Sequence, residues 1–381
     1  MSHPSSSGPE PWWREWPLAL AVLALALLLL AKSWVAGTAE QPALLAVVLA
    51  VICGVILAAA VAIVRHADEL AHRLGEPFGT LLLTLAITGL EVCMVAFVMS
   101  TGEPKPDLAR DTMFAVVMLV LNGFMGVALV LGGLRHREQP YNLQSANAFL
   151  SMILPLTVLG LVLPDYTRSV DGPMLSKFQM VFLSLMSAGI YGVFLFVQNR
   201  RHRGFFMMPA ELAEAAADTA AQTATPTPVR AHSTLYHAVM LGLYGFPLVL
   251  LAKQMAAPLD DVVLRFGAPP ALAGFILAVL VLTPESIAAV RAALANRLQR
   301  AVNILLGSVL ASIGLTIPLV IAVSLVTGRS LELGLNPAST LMLLLTLGTS
   351  MLTFSVPRTN VLSGCVHLLL FGMYLMLMFD R

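Results

Sequence analysis

Long apolar stretches set the limits on what this chain can fold into. A helix needs about 20 mostly apolar residues to cross the hydrocarbon core of a bilayer, and eleven stretches meet that requirement. Charged residues make up only 11% of the 381 residues and hydrophobic residues 58%, whereas a soluble domain carries roughly 25% charged residues. We therefore predict an all-α polytopic membrane protein with about eleven transmembrane helices, at 16–36, 42–64, 77–100, 111–134, 145–163, 174–197, 234–256, 269–292, 300–327, 337–356 and 360–379.

One long polar break divides these segments into two comparable groups. Residues 199–233 hold a basic cluster, scattered acids and an Ala/Thr/Pro-rich stretch, which is typical of a flexible cytoplasmic linker. Five segments precede the linker after helix 1 and five follow it, so the second group enters the membrane from the opposite side. Such an inverted repeat is the arrangement of many secondary transporters. The predicted parts are a tail with a retained first helix, a first five-helix repeat, the linker and a second five-helix repeat, at 1–40, 41–198, 199–233 and 234–381.

Basic residues in the loops predict the orientation. With the N-terminus in the cytoplasm, inward-facing Lys and Arg outnumber outward-facing ones by about two to one, as the positive-inside rule requires. We therefore predict a multi-pass protein of the inner (cytoplasmic) membrane with a cytoplasmic N-terminus and an external C-terminus. The net charge of +1 excludes a bulk electrostatic attraction to nucleic acid. The three cysteines lie in apolar segments without CxxC spacing, as core residues do.

Two acidic residues lie in the middle of predicted spans. Glu91 is in helix 3 and Glu285 is in helix 8, which are the second spans of the two repeats. Inverted symmetry would therefore bring the two carboxylates together near the midplane. A carboxylate there costs at least about 2.5 kcal/mol, and a cost at two matched positions indicates function more than packing. Two neighbouring carboxylates cannot easily both be ionised without a cation, so cations and protons would compete for them, which is the basis of proton-coupled exchange.

Residues that disturb helices accompany both glutamates. Gly89 precedes Glu91, and Pro284 directly precedes Glu285. A proline inside a helix removes a backbone hydrogen bond, and an interrupted helix at membrane depth frees carbonyl oxygens that bind hard cations. We therefore predict a break in the helix beside each glutamate.

Polar residues near the same depth are further candidate ligands. The next helix of each unit carries Asn122 or the pair Asn303 and Ser308, and we assign the neighbouring Ser312 and Gly314 to small-residue helix packing. The predicted site has Glu91 and Glu285 as the metal ligands. The other members of the predicted cation- and proton-binding set are Thr88, Asn122, Thr283, Asn303 and Ser308.

Several motifs, taken in order, resemble a known family. The carrying segments are Gly75-Glu76-Pro77-Phe78-Gly79-Thr80 leading to Glu91, Leu119-Val120-Leu121-Asn122-Gly123, Leu282-Thr283-Pro284-Glu285, and Gly307-Ser308. Together they resemble the cation/calcium antiporter superfamily, most closely its bacterial calcium/proton and sodium/proton antiporter branch. The resemblance implies an exchanger, not an enzyme, that moves cations outward against entering protons. In it, Glu91 and Glu285 would bind the cation and carry the proton.

The resemblance implies no cofactor. The ligands would be the transported Ca2+, Na+ or K+ and H+, the partners would be inorganic cations, protons and the lipid bilayer, and the oligomeric state stays open. Many relatives carry Gly-Asn-x-x-Glu, whereas this chain has Ile87-Thr88 and Val281-Leu282 at those positions. Fewer oxygen ligands would favour sodium or potassium over calcium. A calcium/proton antiporter, a monovalent Na+(K+)/H+ antiporter and a membrane-embedded enzyme are therefore the three functions to be distinguished.

Overall fold

The structure is a computed structural model that describes residues 12–31, 41–74, 78–100, 105–170, 172–198 and 233–380. Of the predicted linker, all but Ser233 lies outside the described residues, as do the first eleven residues of the predicted N-terminal tail.

Within the described ranges the chain is almost wholly helical. The helices are α1 (Trp16–Leu30), α2 (Pro42–Leu74), α3 (Phe78–Ser100), α4 (Leu108–His136), α5 (Leu143–Leu161), α6 (Lys177–Phe196), α7 (Thr234–Phe266), α8 (Ala271–Leu294), α9 (Leu298–Thr327), α10 (Pro337–Thr353) and α11 (Val361–Phe379). The shorter elements are a 3-10 turn (Trp12–Glu15), a helical turn (Leu163–Tyr166) and two antiparallel strands, β1 (Gln139–Pro140) and β2 (Arg358–Thr359).

Most of these helices are built to cross a membrane. Among the described residues, nine helices are long and apolar enough to span a bilayer, and two shorter apolar helices, Leu85–Met99 within α3 and Pro337–Thr353, accompany them. The predicted class, an all-α polytopic membrane protein, is therefore confirmed. That all eleven helices cross the bilayer stays a prediction.

Local sequence signals set the beginnings of several helices. The side chains of Asn142, Asn336 and Asn360 accept hydrogen bonds from backbone N–H groups at the starts of α5, α10 and α11. Ser176 and Gln179 form a reciprocal capping box at the start of α6. Such caps satisfy backbone donors that have no partner within the helix, so these boundaries follow from the sequence.

Helices α2 and α7 extend about ten residues beyond the segments predicted from hydropathy. Each has 33 residues, which is about 50 Å of helix, whereas the hydrocarbon core is about 30 Å thick. The extension of α2 contains Arg65, His66, Asp68 and Glu69. An apolar window ends at the first charged residue, but the helix continues because its backbone hydrogen bonds do not depend on lipid.

Contacts between loops and helix ends show which ends share a side of the molecule. Arg65, near the end of α2, lies 2.8 Å from Glu15 before α1, and Tyr236 at the start of α7 bonds the same carboxylate at 3.2 Å. Gln139 after α4 pairs with Thr359 before α11 in the small sheet. On the opposite side, Arg110 at the start of α4 approaches Glu332 between α9 and α10 at 3.7 Å.

The small sheet is anchored by a buried tyrosine. Tyr141 follows β1 and is 4% exposed, and its hydroxyl donates to the carbonyl of Val356 before β2. Burial raises the pKa of Tyr141 to about 12, so this hydroxyl stays a donor throughout the physiological pH range.

Helices α4 and α9 form the centre of the larger of two hydrophobic cores. Both are buried over most of their length, and α5, α6, α8, α10 and α11 pack around them. A second core joins α1, α2 and α7 with parts of α3 and α8. The two cores meet along α3 and α8, so the helices that carry the two intramembrane glutamates lie between them.

Candidate cation-binding site

The two glutamates occupy corresponding helices at the meeting of the two cores. Glu91 lies on α3 and is only 4% exposed. Glu285 lies on α8 and is partly buried. The residues around them are apolar, since Val92 and Leu282 are both buried, so neither carboxylate could be accommodated without a polar partner.

Both partners come from a single helix, α9. Ser312 donates a hydrogen bond from Oγ to Oε2 of Glu91 at 2.6 Å, and Ser308 donates from Oγ to Oε2 of Glu285 at 2.7 Å. The two serines are four residues apart, so they share one face of α9 and are offset by about 6 Å along its axis. The structure therefore brings the two carboxylates together on one helix face, one turn apart.

This face of α9 carries a third hydroxyl. Thr316 follows Ser312 by four residues and is 1% exposed, and its Oγ1 has no hydrogen-bond partner within the part of the chain that the structure describes. Buried hydroxyls normally find a partner. Ser308, Ser312 and Thr316 thus form a hydroxyl stripe along the face of α9 that meets the glutamates.

The two threonines predicted beside the glutamates lie on the glutamate helices. Thr88 is buried and precedes Glu91 by three residues, so it shares that face of α3. Thr283 precedes Glu285 by two residues, and its hydroxyl donates to the carbonyl of Val279 on its own helix. The donor capacity of Thr283 is therefore used locally, whereas its oxygen can still accept or ligate.

The predicted backbone break beside each glutamate is not present. α3 is continuous past Gly89, and α8 is continuous past Pro284. The hydroxyls of Thr283 and Ser286 bond carbonyls one turn back, those of Val279 and Leu282. Neither bond replaces the one that Pro284 removes, because the carbonyl left without its backbone donor is that of Leu280. Leu280 and Pro284 are both buried, so packing against the neighbouring helices keeps α8 continuous. The irregular backbone lies instead in α4, where Leu119–Phe124 form a π-helical segment.

Asn122 lies in that π-helical segment, in a separate polar cluster. Its amide donates to Oγ1 of Thr346 at 2.8 Å, and its Oδ1 lies 3.2 Å from Nδ1 of His367. His367 also contacts Thr353 at 3.0 Å. These bonds join Asn122 to α10 and α11, and among the hydrogen bonds of the described residues none links it to Glu91 or Glu285.

Asn303 lies in another network, near the beginning of α9. Its Oδ1 accepts hydrogen bonds from Gln299 at 2.7 Å and from Ser145 at 3.0 Å. Gln299 in turn accepts from the backbone N–H of Asn142, the residue that caps α5. This network ties α5 to α9, so the contacts of Asn303 are those of helix packing at one end of the bundle.

Tyr191 on α6 is a further polar residue near the site. Its side chain is 3% exposed, its ring packs against Gly314 of α9, and its hydroxyl has no hydrogen-bond partner among the described residues. It lies within electrostatic range of Glu285. A Cβ at position 314 would come within 3.2 Å of the ring, so the glycine allows α6 to approach.

Ser312, Thr316 and Tyr191 are the site residues that the sequence analysis did not select. Ser308, Ser312 and Thr316 are spaced at i, i+4 and i+8. This spacing is the signal for Ser312 and Thr316, because a hydroxyl stripe on one face of an apolar helix must meet polar partners. Tyr191 follows Ser187 by four residues on α6, so the two share a face of that helix, and the hydroxyl of Ser187 bonds the carbonyl of Gly314 on α9. That spacing is the signal for Tyr191.

The chemistry available here is that of a hard cation. Among the described residues no group of three or more His, Cys, Asp or Glu side chains has an arrangement that could hold a metal ion. Two carboxylates and adjacent hydroxyls offer oxygen ligands, which alkali and alkaline-earth cations prefer. The carboxylates can also take up protons.

Comparison with known proteins places this arrangement in a family. The model of the sodium/calcium exchanger protein family matches residues 43–199 and 236–379. The putative ionic transporter y4hA of Sinorhizobium fredii is 43% identical over 332 residues, which cover 87% of this chain and 88% of that protein. The sodium-potassium/proton antiporter ChaA of Escherichia coli is 37% identical over 367 residues, which cover 96% of each.

Solved structures share the fold. Native YfkE superposes with a TM-score of 0.72 at 17% identity, covering 96% of this chain and 100% of that one. The H+/Ca2+ exchanger CAX gives a TM-score of 0.65 at 16% identity, covering 96% and 89%. The match to the family model and the similarity to ChaA confirm the expectation of a cation transporter rather than an enzyme. The chain belongs to the sodium/calcium exchanger protein family of membrane cation antiporters.

Proposed function

We propose that this protein is a secondary antiporter that exports Ca2+ in exchange for H+ by alternating access, with Glu91 and Glu285 as the shared binding site for cation and protons. Thr88, Thr283 and the hydroxyl stripe of α9 complete the site with oxygen ligands. In this proposal Asn122 and Asn303 position the helices around the site and do not touch the cation.

The observation that carries the proposal is the pair of hydrogen bonds from α9. Ser312 holds Glu91 from the first half of the chain, and Ser308 holds Glu285 from the second half. Both carboxylates therefore lie against the same face of α9. A packing role for a single buried glutamate would not require a second glutamate on the same face.

Charge balance explains the coupling. Two ionised carboxylates repel each other in a site of low dielectric constant, so either protons or a cation must neutralise them. A divalent cation matches two carboxylates, and two protons match them equally well. The site can therefore be filled by one or the other and not by both, and exchange of the two across the membrane follows from this competition.

A monovalent Na+(K+)/H+ exchange is the second candidate. Similarity to ChaA, a sodium-potassium/proton antiporter, over nearly the whole of both chains favours it. The residues at the site also favour it, because Ile87-Thr88 and Val281-Leu282 supply only one polar side chain before the glutamates. Fewer oxygen ligands suit a cation of lower charge.

The topology belongs to the proposal as well. We infer two inverted five-helix units, 41–198 and 234–381, joined by the 199–233 linker, with the N-terminus in the cytoplasm and the C-terminus outside. The shared-side contacts support this arrangement, since Glu15, Arg65 and Tyr236 meet on one side and Arg110 and Glu332 on the other. A unit of five helices starts on one side of the membrane and ends on the other, and both groups of contacts agree with such units.

The test is ion-driven proton movement in vesicles that contain the purified protein and a pH indicator. Addition of Ca2+, Na+ or K+ to one side should draw protons out of the opposite compartment toward the side of addition, and only the transported ion should do so. The apparent KM for that ion should rise as the pH falls, because protons compete for the same carboxylates.

Glu91→Gln and Glu285→Gln should each abolish this flux, since an amide can neither carry the proton nor balance the cation charge. Glu138→Gln is the matched control, because Glu138 is exposed and, among the described residues, forms an ion pair with Arg358 at 3.4 Å. Full transport by either glutamine variant at the site, with normal folding, would contradict the assignment of that residue.

A further inference from the structure

A second cluster of ionisable side chains lies away from the glutamate pair. It joins the segment before α1 to α2 and α7, the first helices of the two halves. Its centre is His66, which is 2% exposed, and its neighbour His237 is 7% exposed. We call Glu15, His66 and His237 the histidine chain, after the order in which they contact one another.

Glu15 is held as an ionised acceptor by several donors. Its Oε1 accepts from Arg65 at 2.8 Å and from the hydroxyl of Tyr236 at 3.2 Å, and its Oε2 accepts from the hydroxyl of Tyr244 at 2.7 Å. Nε2 of His66 lies 3.2 Å from the same Oε2. A nitrogen of Arg65 also lies 3.3 Å from this Nε2, but it makes its shorter hydrogen bond, 2.8 Å, to Oε1 of Glu15. Because an ionised carboxylate can only accept, we assign the proton on this side of His66 to Nε2.

The opposite nitrogen of His66 faces a second histidine. Nδ1 of His66 lies 2.9 Å from Nδ1 of His237. One nitrogen of such a pair must carry a hydrogen and the other must offer a lone pair. When both histidines are neutral, therefore, His237 donates to His66 and His66 donates to Glu15.

This geometry limits how many protons the histidine chain can hold while its contacts stay intact. One added proton fits, because either imidazole can become charged while a single hydrogen remains between the two Nδ1 atoms. A second added proton would place a hydrogen on each Nδ1 at a separation of 2.9 Å. Two donors cannot face each other at that distance, so the contact between α2 and α7 must open.

Other charged groups of the region act on the same chain. Arg65 lies 3.3 Å from Nε2 of His66 and is also the ion-pair partner of Glu15. Arg14 adjoins Glu15, and Asp68 and Glu69 follow His66 within one helical turn, with Glu69 paired to Arg73 at 3.1 Å. From α7, the polar groups facing the chain are Tyr236 and Tyr244.

We propose that Glu15, His66 and His237 form a second proton-binding site, separate from the glutamate pair. With one added proton or none, this site links the N-terminal segment to both halves of the protein. When it binds two protons, the contact between His66 and His237 opens. The histidine chain holds together α2 and α7, which share one core with α1 and meet the other core along α3 and α8. Alternating access requires packed groups of helices to move past one another, so we expect the opening of these contacts to alter the pH dependence of that movement.

The proton-binding part of this inference does not depend on transport, whereas its effect on exchange rests on the proposed function. The two can be separated by an optical measurement. Trp13 and Trp16 flank Glu15, and the chain has only four tryptophans, so intrinsic fluorescence reports on this end of α1. A titration of the purified protein should show a transition within about pH 5–8, where histidine changes charge.

His237→Asn is the informative variant. The amide nitrogen of asparagine can take the place of Nδ1 and donate to His66, but it cannot take up a proton. The fluorescence transition should be lost in His237→Asn and retained in His136→Asn, a matched control whose histidine bonds the carbonyl of Leu294 elsewhere. A wild-type transition that persists unchanged in His237→Asn would overturn the proposal.

Nitrogen NMR of histidine-labelled wild-type protein tests the same point without a variant. His66 and His237 should titrate in two linked steps, with the second step coinciding with the fluorescence change. Independent titration of the two rings, each as a single step, would also overturn the proposal.

Transport completes the test. In vesicles, the pH profile of exchange should lose its step in the histidine range in His237→Asn while the maximum rate stays within about twofold. Glu91→Gln should transport at no pH and yet keep the fluorescence transition. A transition that disappears in Glu91→Gln would show that the glutamate pair, and not the histidine chain, is the origin of the signal.

Discussion

The hydroxyl of Ser312 lies 2.6 Å from the carboxylate of Glu91, although the two residues are 221 positions apart in the chain. This bond fixes α3 of the first half to α9 of the second half at the depth of the site. One turn away, Ser308 makes the corresponding bond to Glu285 of the adjacent α8. A single helix therefore sets the positions of both carboxylates, and a shift of α9 would change both at once.

Removal of either serine hydroxyl should weaken cation binding. A hydrogen bond to a charged group contributes roughly 1.5–3 kcal/mol, so Ser308→Ala and Ser312→Ala should each raise the apparent KM for the cation about 10-fold or more. Ser324→Ala on the same helix is the control, because its hydroxyl bonds the carbonyl of Arg329 at the far end. Equal effects of all three alanine variants would argue against a special role for the two site serines.

A methyl group should not fit where α4 and α11 touch. A Cβ at Gly364 would lie 2.7 Å from the backbone nitrogen of Val130 and 2.9 Å from the carbonyl oxygen of Gly126. Overpacking of this kind costs typically about 1–3 kcal/mol, so Gly364→Ala should lower the thermal unfolding temperature of the purified protein. Gly372→Ala, eight residues along α11, has nothing within 4 Å and should leave that temperature unchanged.

Loss of the Asn122 amide should affect stability more than transport affinity. The side chain is fully buried and bonds Thr346 and His367, so Asn122→Ala leaves two buried partners without their hydrogen bonds. Each costs about 1–3 kcal/mol, which thermal unfolding would detect. A rise in the apparent KM for the cation comparable to that of Ser312→Ala, with unchanged stability, would instead make Asn122 a ligand.

The hydroxyl of Tyr191 has no hydrogen-bond partner among the described residues. An unpaired buried hydroxyl destabilises the folded state, so Tyr191→Phe should keep or raise the unfolding temperature. We expect the same variant to raise the apparent KM for the cation several-fold, because Tyr191 lies within electrostatic range of Glu285 and its hydroxyl offers one more oxygen ligand. Unchanged transport in vesicles would assign the tyrosine to packing alone.

Much of the architecture was readable from local patterns. Apolar length predicts helices at α3, α5 and α8 within about three residues, because lipid leaves no other way to satisfy a backbone of such composition. The polar extensions of α2 and α7 were missed, since hydropathy detects the lipid-facing part of a helix and not its hydrogen-bonded end. The break predicted at Pro284 was wrong, because a proline removes only one backbone hydrogen bond and the buried residues around it hold α8 in place against its neighbours.

The sequence by itself predicted a membrane protein and selected Glu91 and Glu285 as acids in the middle of apolar segments, because the cost of burying a carboxylate makes such residues conspicuous in an apolar chain. Only the tertiary structure decided which groups satisfy them. Ser312 was set aside as a packing residue and proves to hold Glu91, while Asn122 bonds His367 and Thr346 instead. The physical reason is that hydrogen bonds between distant helices depend on rotation and register, which depend on the packing of all the helices together and leave no local mark.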